Sequence, residues 1–233
     1  TMRVLVIPDL HAPCIAGSNC DCCGNALDFV RSVQDYWQTT KTVFLGDLVD
    51  HHRLSKHESE PDSRGALDEH EEALEQLRPW YRHFAKATML TGNHDALVHR
   101  QAASAGLPAK YIRTLKDFLE MPKGWQVVER WGHHEIDGVL YFHGDCGPGG
   151  QGIPAYRHAM QQFKPVVQGH YHQSCGIQHF QNSSGGRLWG CQAGALACSH
   201  HLQMRYGRKF SRSPILACAV VIDGEPFVEV MPS

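Results

Sequence analysis

Thr42-Val43-Phe44-Leu45-Gly46-Asp47-Leu48-Val49-Asp50 is the stretch around which the chain is organised. A short apolar run that stops at Gly-Asp has the pattern of a buried parallel strand whose C-terminal end delivers a carboxylate into a cleft. Four other strand-like runs stop in the same way, each at residue types that bind metals. Residues 4–8 precede Asp9-Leu10-His11, 87–91 precede Gly92-Asn93-His94-Asp95, 139–142 precede His143-Gly144-Asp145, and 165–168 precede Gly169-His170-Tyr171-His172. Five such ends on one edge predict a metal cluster with Asp47 at its centre.

A length of 233 residues suits one substantial α/β domain, expected to span 1–233. With 22 basic and 24 acidic side chains, no overall field steers the protein toward nucleic acid or acidic lipid. The 17 histidines cluster in Gly-His and Asn-His contexts, which favours metal binding. There is no apolar run of roughly 18 residues and no signal-peptide pattern, so a cytoplasmic protein without a membrane partner is expected. The 9 cysteines are odd in number and unevenly spaced, which speaks against a secreted disulfide framework.

Along the chain, residues 12–25 hold Pro, Gly, Ser, Asn and four cysteines, and are expected to form an irregular insert. Leu27, Val30, Val33 and Trp37 repeat at helical spacing and predict a helix over 26–37 lying on the sheet. A polar loop over 51–65 leads to a charged helix over about 66–86, where Pro79 predicts a kink. Helical segments are expected from Asp95 and from Pro108 to Leu119. Short strands at 125–130, 134–136 and 139–143 open a second sheet, whose later members are expected at 188–192, 215–222 and 227–231. Asp137-Gly138 and Asp223-Gly224 supply tight turns.

Seven side chains give each of two ions four protein ligands if Asp47 is shared. One ion takes Asp9, His11, Asp47 and His172, and the other takes Asp47, Asn93, His143 and His170. Mixed oxygen and imidazole donors suit divalent Mn, Fe, Zn, Co or Ni better than a calcium cage or a thiolate site does. Two ions roughly 3.5–4 Å apart can hold a phosphoryl group and activate a water, so the expected chemistry is phosphoester hydrolysis.

The motifs D-x-H, G-D-x-x-D, G-N-H-D/E, a lone His and G-H-x-H occur in that order as Asp9 to His11, Gly46 to Asp50, Gly92 to Asp95, His143, and Gly169 to His172. In this the chain resembles the calcineurin-like metallophosphoesterase superfamily. The resemblance implies a four-layer α/β/β/α sandwich, the ligand assignment above, an acid/base role for His94, and Asp50 as the residue that orients it. The protein Ser/Thr phosphatases of that superfamily follow G-D-x-x-D with Arg-Gly and carry G-N-H-E, whereas His51 and Asp95 stand here. Small stand-alone members, including phage-encoded ones and repair nucleases, are more similar. The expected substrate is a nonprotein phosphoester, a nucleotide or nucleic-acid diester being favoured slightly over a monoester.

A non-catalytic, zinc-dependent binding or scaffold protein is the alternative from another class. A retromer subunit that resembles the superfamily serves as a binding platform, but it lacks parts of the ligand set that is complete here. In the insert, Cys20-Asp21-Cys22-Cys23-Gly24 contains C-x-x-C before Gly, the shape of half a zinc knuckle. Cys14, Cys20 and Cys23 are therefore candidate ligands of an additional structural zinc, with a fourth from Cys22, Cys146, Cys175, Cys191 or Cys198; a surface loop with reduced thiols and a disulfide are the competing expectations. Arg205 and Arg208, in a short basic run with Lys209 and Arg212, are candidate contacts for a substrate phosphate, against the plainer reading of a solvated charge run.

Overall fold

The computed structural model describes residues 1–20, 22–55, 65–147, 152–200 and 213–232. Strands β1 (Arg3–Ile7) and β2 (Lys41–Phe44) run parallel, and successive side chains leave opposite faces of the sheet. Leu5, Ile7 and Phe44 meet helices α1 (Ala26–Trp37) and α2 (Ala66–His83), whereas Val4, Val6 and Val43 enter a separate core facing a second sheet. The first sheet continues through parallel strands β3 (Lys86–Leu90) and β4 (Gly124–Val128).

The second sheet holds β5 (His134–Ile136), β6 (Val139–Phe142), β7 (Val166–Gln168), β8 (Cys175–Gln181) and β9 (Arg187–Ala193), in the order β5-β6-β7-β9-β8. Its inward residues Val139, Tyr141, Val167 and Cys191 fill the core between the sheets. Leu140, Phe142 and Val166 point outward and pack on Ala155 and Ala159 of an outer helix (Pro154–Gln162). The layers are therefore α/β/β/α, as the resemblance implies.

Four sequence expectations need correction. The last two strands, β10 (Ala217–Ile222) and β11 (Glu225–Val230), belong to the first sheet, where β10 lies antiparallel to β1 with Arg3 opposite Ile222. The strand begun at Trp125 belongs there too, its indole lying 4.6 Å from the Phe44 ring. Residues 12–16 are buried, and Ala12 and Ile15 bridge to Val49 and Ala197, so the first half of the supposed insert is core. In place of one helix from Pro108 to Leu119 there is a single turn at Ala109–Tyr111 and then α4 (Leu115–Phe118). The break falls at Thr114, whose hydroxyl caps the Asp117 N–H.

The segment expected from Asp95 is α3 (Leu97–Ser104), and α2 runs continuously through Pro79. The outer helix, α5, and strand β8 were not anticipated. Residues 56–64 of the polar loop, and 201–212 with Arg205 and Arg208, lie outside the described residues. Among the described residues no helix is long and apolar enough to cross a membrane.

Candidate metal centre

Three strand ends of the first sheet and two of the second meet at one edge of the sandwich. There β1 presents Asp9 and His11, β2 presents Asp47 and Asp50, and β3 presents Asn93 and His94; β6 brings His143, and β7 brings His170 and His172. The first two loops are tied together by the main chain: Leu10 and His11 N–H both donate to the Asp47 carbonyl (3.1 and 2.9 Å), and Ala12 N–H donates to Leu48 (2.8 Å). This lattice holds His11 and Asp47 at φ 49° and 48°, while His170, whose backbone N–H donates to Asp9 Oδ2 (2.6 Å), takes φ 67°. For residues other than glycine such angles cost roughly 1–3 kcal/mol each and persist where the surroundings over-determine them.

Two glycines make the close approach possible. A side chain on Gly46 (φ 104°) would lie 2.6 Å from the Leu90 carbonyl oxygen, and one on Gly92 would run into the Asp47 carboxylate.

Two donor groups lie against Asp47. In the first, His11 Nδ1–H donates to Asp50 Oδ1 (2.8 Å), which turns the Nε2 lone pair inward. That lone pair faces His172 Nε2 at 3.1 Å and Asp47 Oδ2 at 3.6 Å, while His172 Nε2 lies 3.2 Å from Asp9 Oδ2. In the second, His143 Nδ1–H donates to the Leu45 carbonyl (2.9 Å), so Nε2 points at Asn93 Oδ1 (3.0 Å) and Asp47 Oδ2 (3.3 Å). Asp47, His143 and His170 form one compact ligand group, as do Asp9, His11 and His172. Lone pairs directed at one another in a buried site need cations between them, and Asp9 Oδ1 is buried without a hydrogen-bond partner. The donor set therefore fits divalent metal ions, and all seven expected ligands are brought together.

The protonation chemistry agrees. Burial pushes the His143 imidazolium down, but Asp47 and Asp9 overcome this and bring it up to about 10, so in the absence of metal a proton occupies the place a cation would take. Burial lowers His170 to about 4, which leaves it neutral and able to ligate.

His94 stands beside these groups. Its Nδ1–H donates to the Asp50 carbonyl (2.6 Å), with Asp50 Oδ1 at 3.2 Å, and its backbone N–H donates to Asp47 Oδ1 (2.8 Å). Burial disfavours its charge, yet Asp47 and Asp50 raise it to about 10. Asp50 itself stays well below the usual carboxylate range because its bonds to His11 and His94 outweigh its burial. The His94 side chain is 12% exposed and that of His172 17%, against 0% for Asp50, so the cluster opens to solvent on their side.

Sequence reasoning missed Asp95. Its carboxylate accepts the N–H groups of Asp47 (2.7 Å), Leu48 (2.9 Å), Val49 (3.4 Å) and Gly92 (2.9 Å), and so pins the loop that carries Asp47. An acid inside a ligand motif but without a ligand role was the available signal. Asp95→Asn replaces one acceptor oxygen by an NH₂ that faces backbone donors. It is expected to cost about 1–3 kcal/mol of stability, the penalty for an unsatisfied buried donor, together with metal affinity. Urea denaturation and metal titration check both; an unchanged midpoint and affinity would refute the role.

His51, after Asp50, is buried, lies with Nδ1 3.4 Å from the His94 carbonyl oxygen, and is lowered to about 4 chiefly by that burial. His158, buried behind β7, hydrogen-bonds Gln168 Oε1 (2.7 Å).

In the cysteine-rich stretch, Cys20 and Cys23 do come together, but with Cys22 and Cys198. Cys14 is not in this group: its N–H closes a turn onto the His11 carbonyl (2.7 Å), and its side chain is buried against Ala197.

The calcineurin-like phosphoesterase family matches residues 2–174. No curated protein matches the chain. Among solved structures, the phosphoesterase Yfce of E. coli is 13% identical, with 99% of this chain and 100% of that chain covered, at a TM-score of 0.46. Nuclease MPE of Pseudomonas putida is 16% identical, covering 97% and 87%, at 0.42. Vps29 of Chaetomium thermophilum is 11% identical, covering 99% and 94%, at 0.39. Likenesses this distant carry no argument about activity. The family match, by contrast, spans well over half of the 233 residues and includes every donor from Asp9 to His172, and on that ground the chain belongs to the calcineurin-like phosphoesterase family.

Proposed function

We propose that this phosphoester hydrolase cleaves a nonprotein phosphodiester, a nucleotide or nucleic-acid bond, using two divalent ions. The observation that carries the reading is the pair of buried donor groups, Asp9/His11/His172 and Asp47/His143/His170, with Asp47 Oδ2 3.6 Å from His11 Nε2 and 3.3 Å from His143 Nε2, and with His94 beside them at the open side. When bound, the ions supply Lewis-acid polarisation of the phosphoryl group and activation of the attacking water. Asp9, His11, Asp47 and His172 would hold one ion, and Asp47, Asn93, His143 and His170 the other. Asp50 orients His94 through Nδ1, which leaves Nε2–H free to protonate the departing oxygen. A cytosolic location is part of the proposal, resting on nine cysteines that are odd in number and unevenly spaced.

The diester preference rests on His51. A guanidinium after Asp50 would clamp a dianionic phosphate through two parallel hydrogen bonds. A buried, neutral imidazole offers no such charge, and a diester, with one charge fewer, needs it less. Matched aryl monoester and diester substrates at saturating Mn²⁺ are expected to show kcat/KM equal or higher for the diester, and a phosphopeptide should turn over poorly. A monoester preference above about tenfold, roughly 1.4 kcal/mol of transition-state discrimination, would overturn the preference in favour of a phosphomonoesterase. The same assay separates catalysis from the scaffold reading, which predicts no metal-dependent turnover.

A further inference from the structure

Cys20, Cys22, Cys23 and Cys198 bring four sulfurs within 4.8 Å of one another, away from the phosphoesterase donors. Cys20 Sγ lies 3.3 Å from Cys23 Sγ and 3.5 Å from Cys198 Sγ, and Cys22 Sγ lies 3.3 Å from Cys198 Sγ. A disulfide would place two sulfurs about 2.05 Å apart. A tetrahedral zinc with bonds of about 2.3 Å spaces its sulfurs roughly 3.8 Å apart, much nearer to the separations found. Four soft thiolates with no oxygen or open position make a closed site, the structural rather than the catalytic kind. His200 Nδ1 stands 3.8 Å from Cys198 Sγ, where an N–H can support the thiolate.

The cysteines finish a ladder that begins at the candidate active site. Leu196 N–H donates to the Asp9 carbonyl (2.8 Å), Ala16 N–H to Leu196 (2.9 Å), and Cys198 N–H to Cys14 (2.7 Å), with Ile15 bridged to Ala197. Cys20 and Cys23 pack on the core under α1 and α2, the same core that contains Cys198. Among the described residues no disulfide joins these two segments, which lie far apart in sequence.

We propose that Cys20, Cys22, Cys23 and Cys198 bind one structural zinc ion, which clasps the loop after Ala16 to the segment ending at Cys198 and stiffens the ladder behind Asp9. On binding, the four thiols release their protons to solvent and no electrons move.

Elemental analysis of the full chain tests this. Asp47→Asn, which disables the shared carboxylate of the other site, is expected to keep one zinc per chain, whereas the Cys22→Ser/Cys198→Ser pair is expected to lose it. Should the cysteine variant fail to fold, the wild-type protein serves: titration with a mercurial, followed by a chromogenic chelator, should release one zinc as the thiols are modified. Cobalt replacement should give the intense visible bands of tetrahedral thiolate coordination. A metal content untouched by the mercurial, no zinc in the Asp47→Asn protein, or a Cys20–Cys23 disulfide found by mass spectrometry would each overturn the proposal.

Discussion

Asp47→Asn is expected to lower kcat/KM for an aryl phosphodiester by more than about a thousandfold, because removal of a single preorganised electrostatic contact already costs 10²–10³ and Asp47 serves both ion positions. Its Oδ2 lies 3.3 Å from His143 Nε2 and 3.6 Å from His11 Nε2, and its Oδ1 takes the backbone N–H of His94. The Asn side chain is the same size, so the fold is not the reason for the loss. What disappears is the negative charge and one of two oxygens, and an NH₂ turned toward a cation repels it. Metal analysis at the same time should show fewer than two ions at the oxygen and imidazole site. Two ions retained there with wild-type turnover would refute the sharing of Asp47.

The site was legible because each ligand motif is local and sits where an apolar run stops. Parallel strands then do the assembly: once β1, β2 and β3 lie side by side, their C-terminal ends bring Asp9, Asp47 and Asn93 to one edge without further information. What the pattern lacks is pairing. The run at Ala217–Ile222 reads as a buried strand, but its apolar side chains are equally compatible with either sheet, and only the pairing of Arg3 with Ile222 assigns it. Asp95 was opaque for the same reason, since its partners Asp47, Leu48 and Val49 are remote in sequence and present only backbone N–H groups. With the cysteines, C-x-x-C identified Cys20 and Cys23, while spacing could not distinguish Cys14, which turns into the core, from Cys22 and the distant Cys198. Helix α5 buries the small residues Ala155 and Ala159 against the second sheet, so its apolar stripe is faint, and Pro154 at its first turn was the one usable signal.

His94→Ala is expected to reduce turnover by about 10²–10⁴-fold, the usual range for loss of a positioned general acid, while both ions remain bound. The imidazole makes its hydrogen bonds to Asp50, and only its backbone N–H reaches Asp47, so truncation at Cβ leaves the donor groups around Asp47 intact. The loss should grow with the pKa of the leaving group: an alkoxide must be protonated as it departs, whereas nitrophenolate leaves without help. The pH dependence has a defined sign. Asp47 and Asp50 raise His94 above its ordinary value; with ions bound, the charge of Asp47 is offset by them, and the bonds to Asp50 keep the acid protonated at neutral pH, to be lost on the alkaline side. For a poor leaving group, wild-type kcat should therefore fall on the alkaline side, and this limb should be missing from His94→Ala. Steady-state kinetics on a series of aryl and alkyl diesters across pH, with metal content measured on the same samples, checks all three features. Equal losses for good and poor leaving groups, or loss of the ions with the side chain, would show that His94 supports the metal site and does not act on the leaving oxygen.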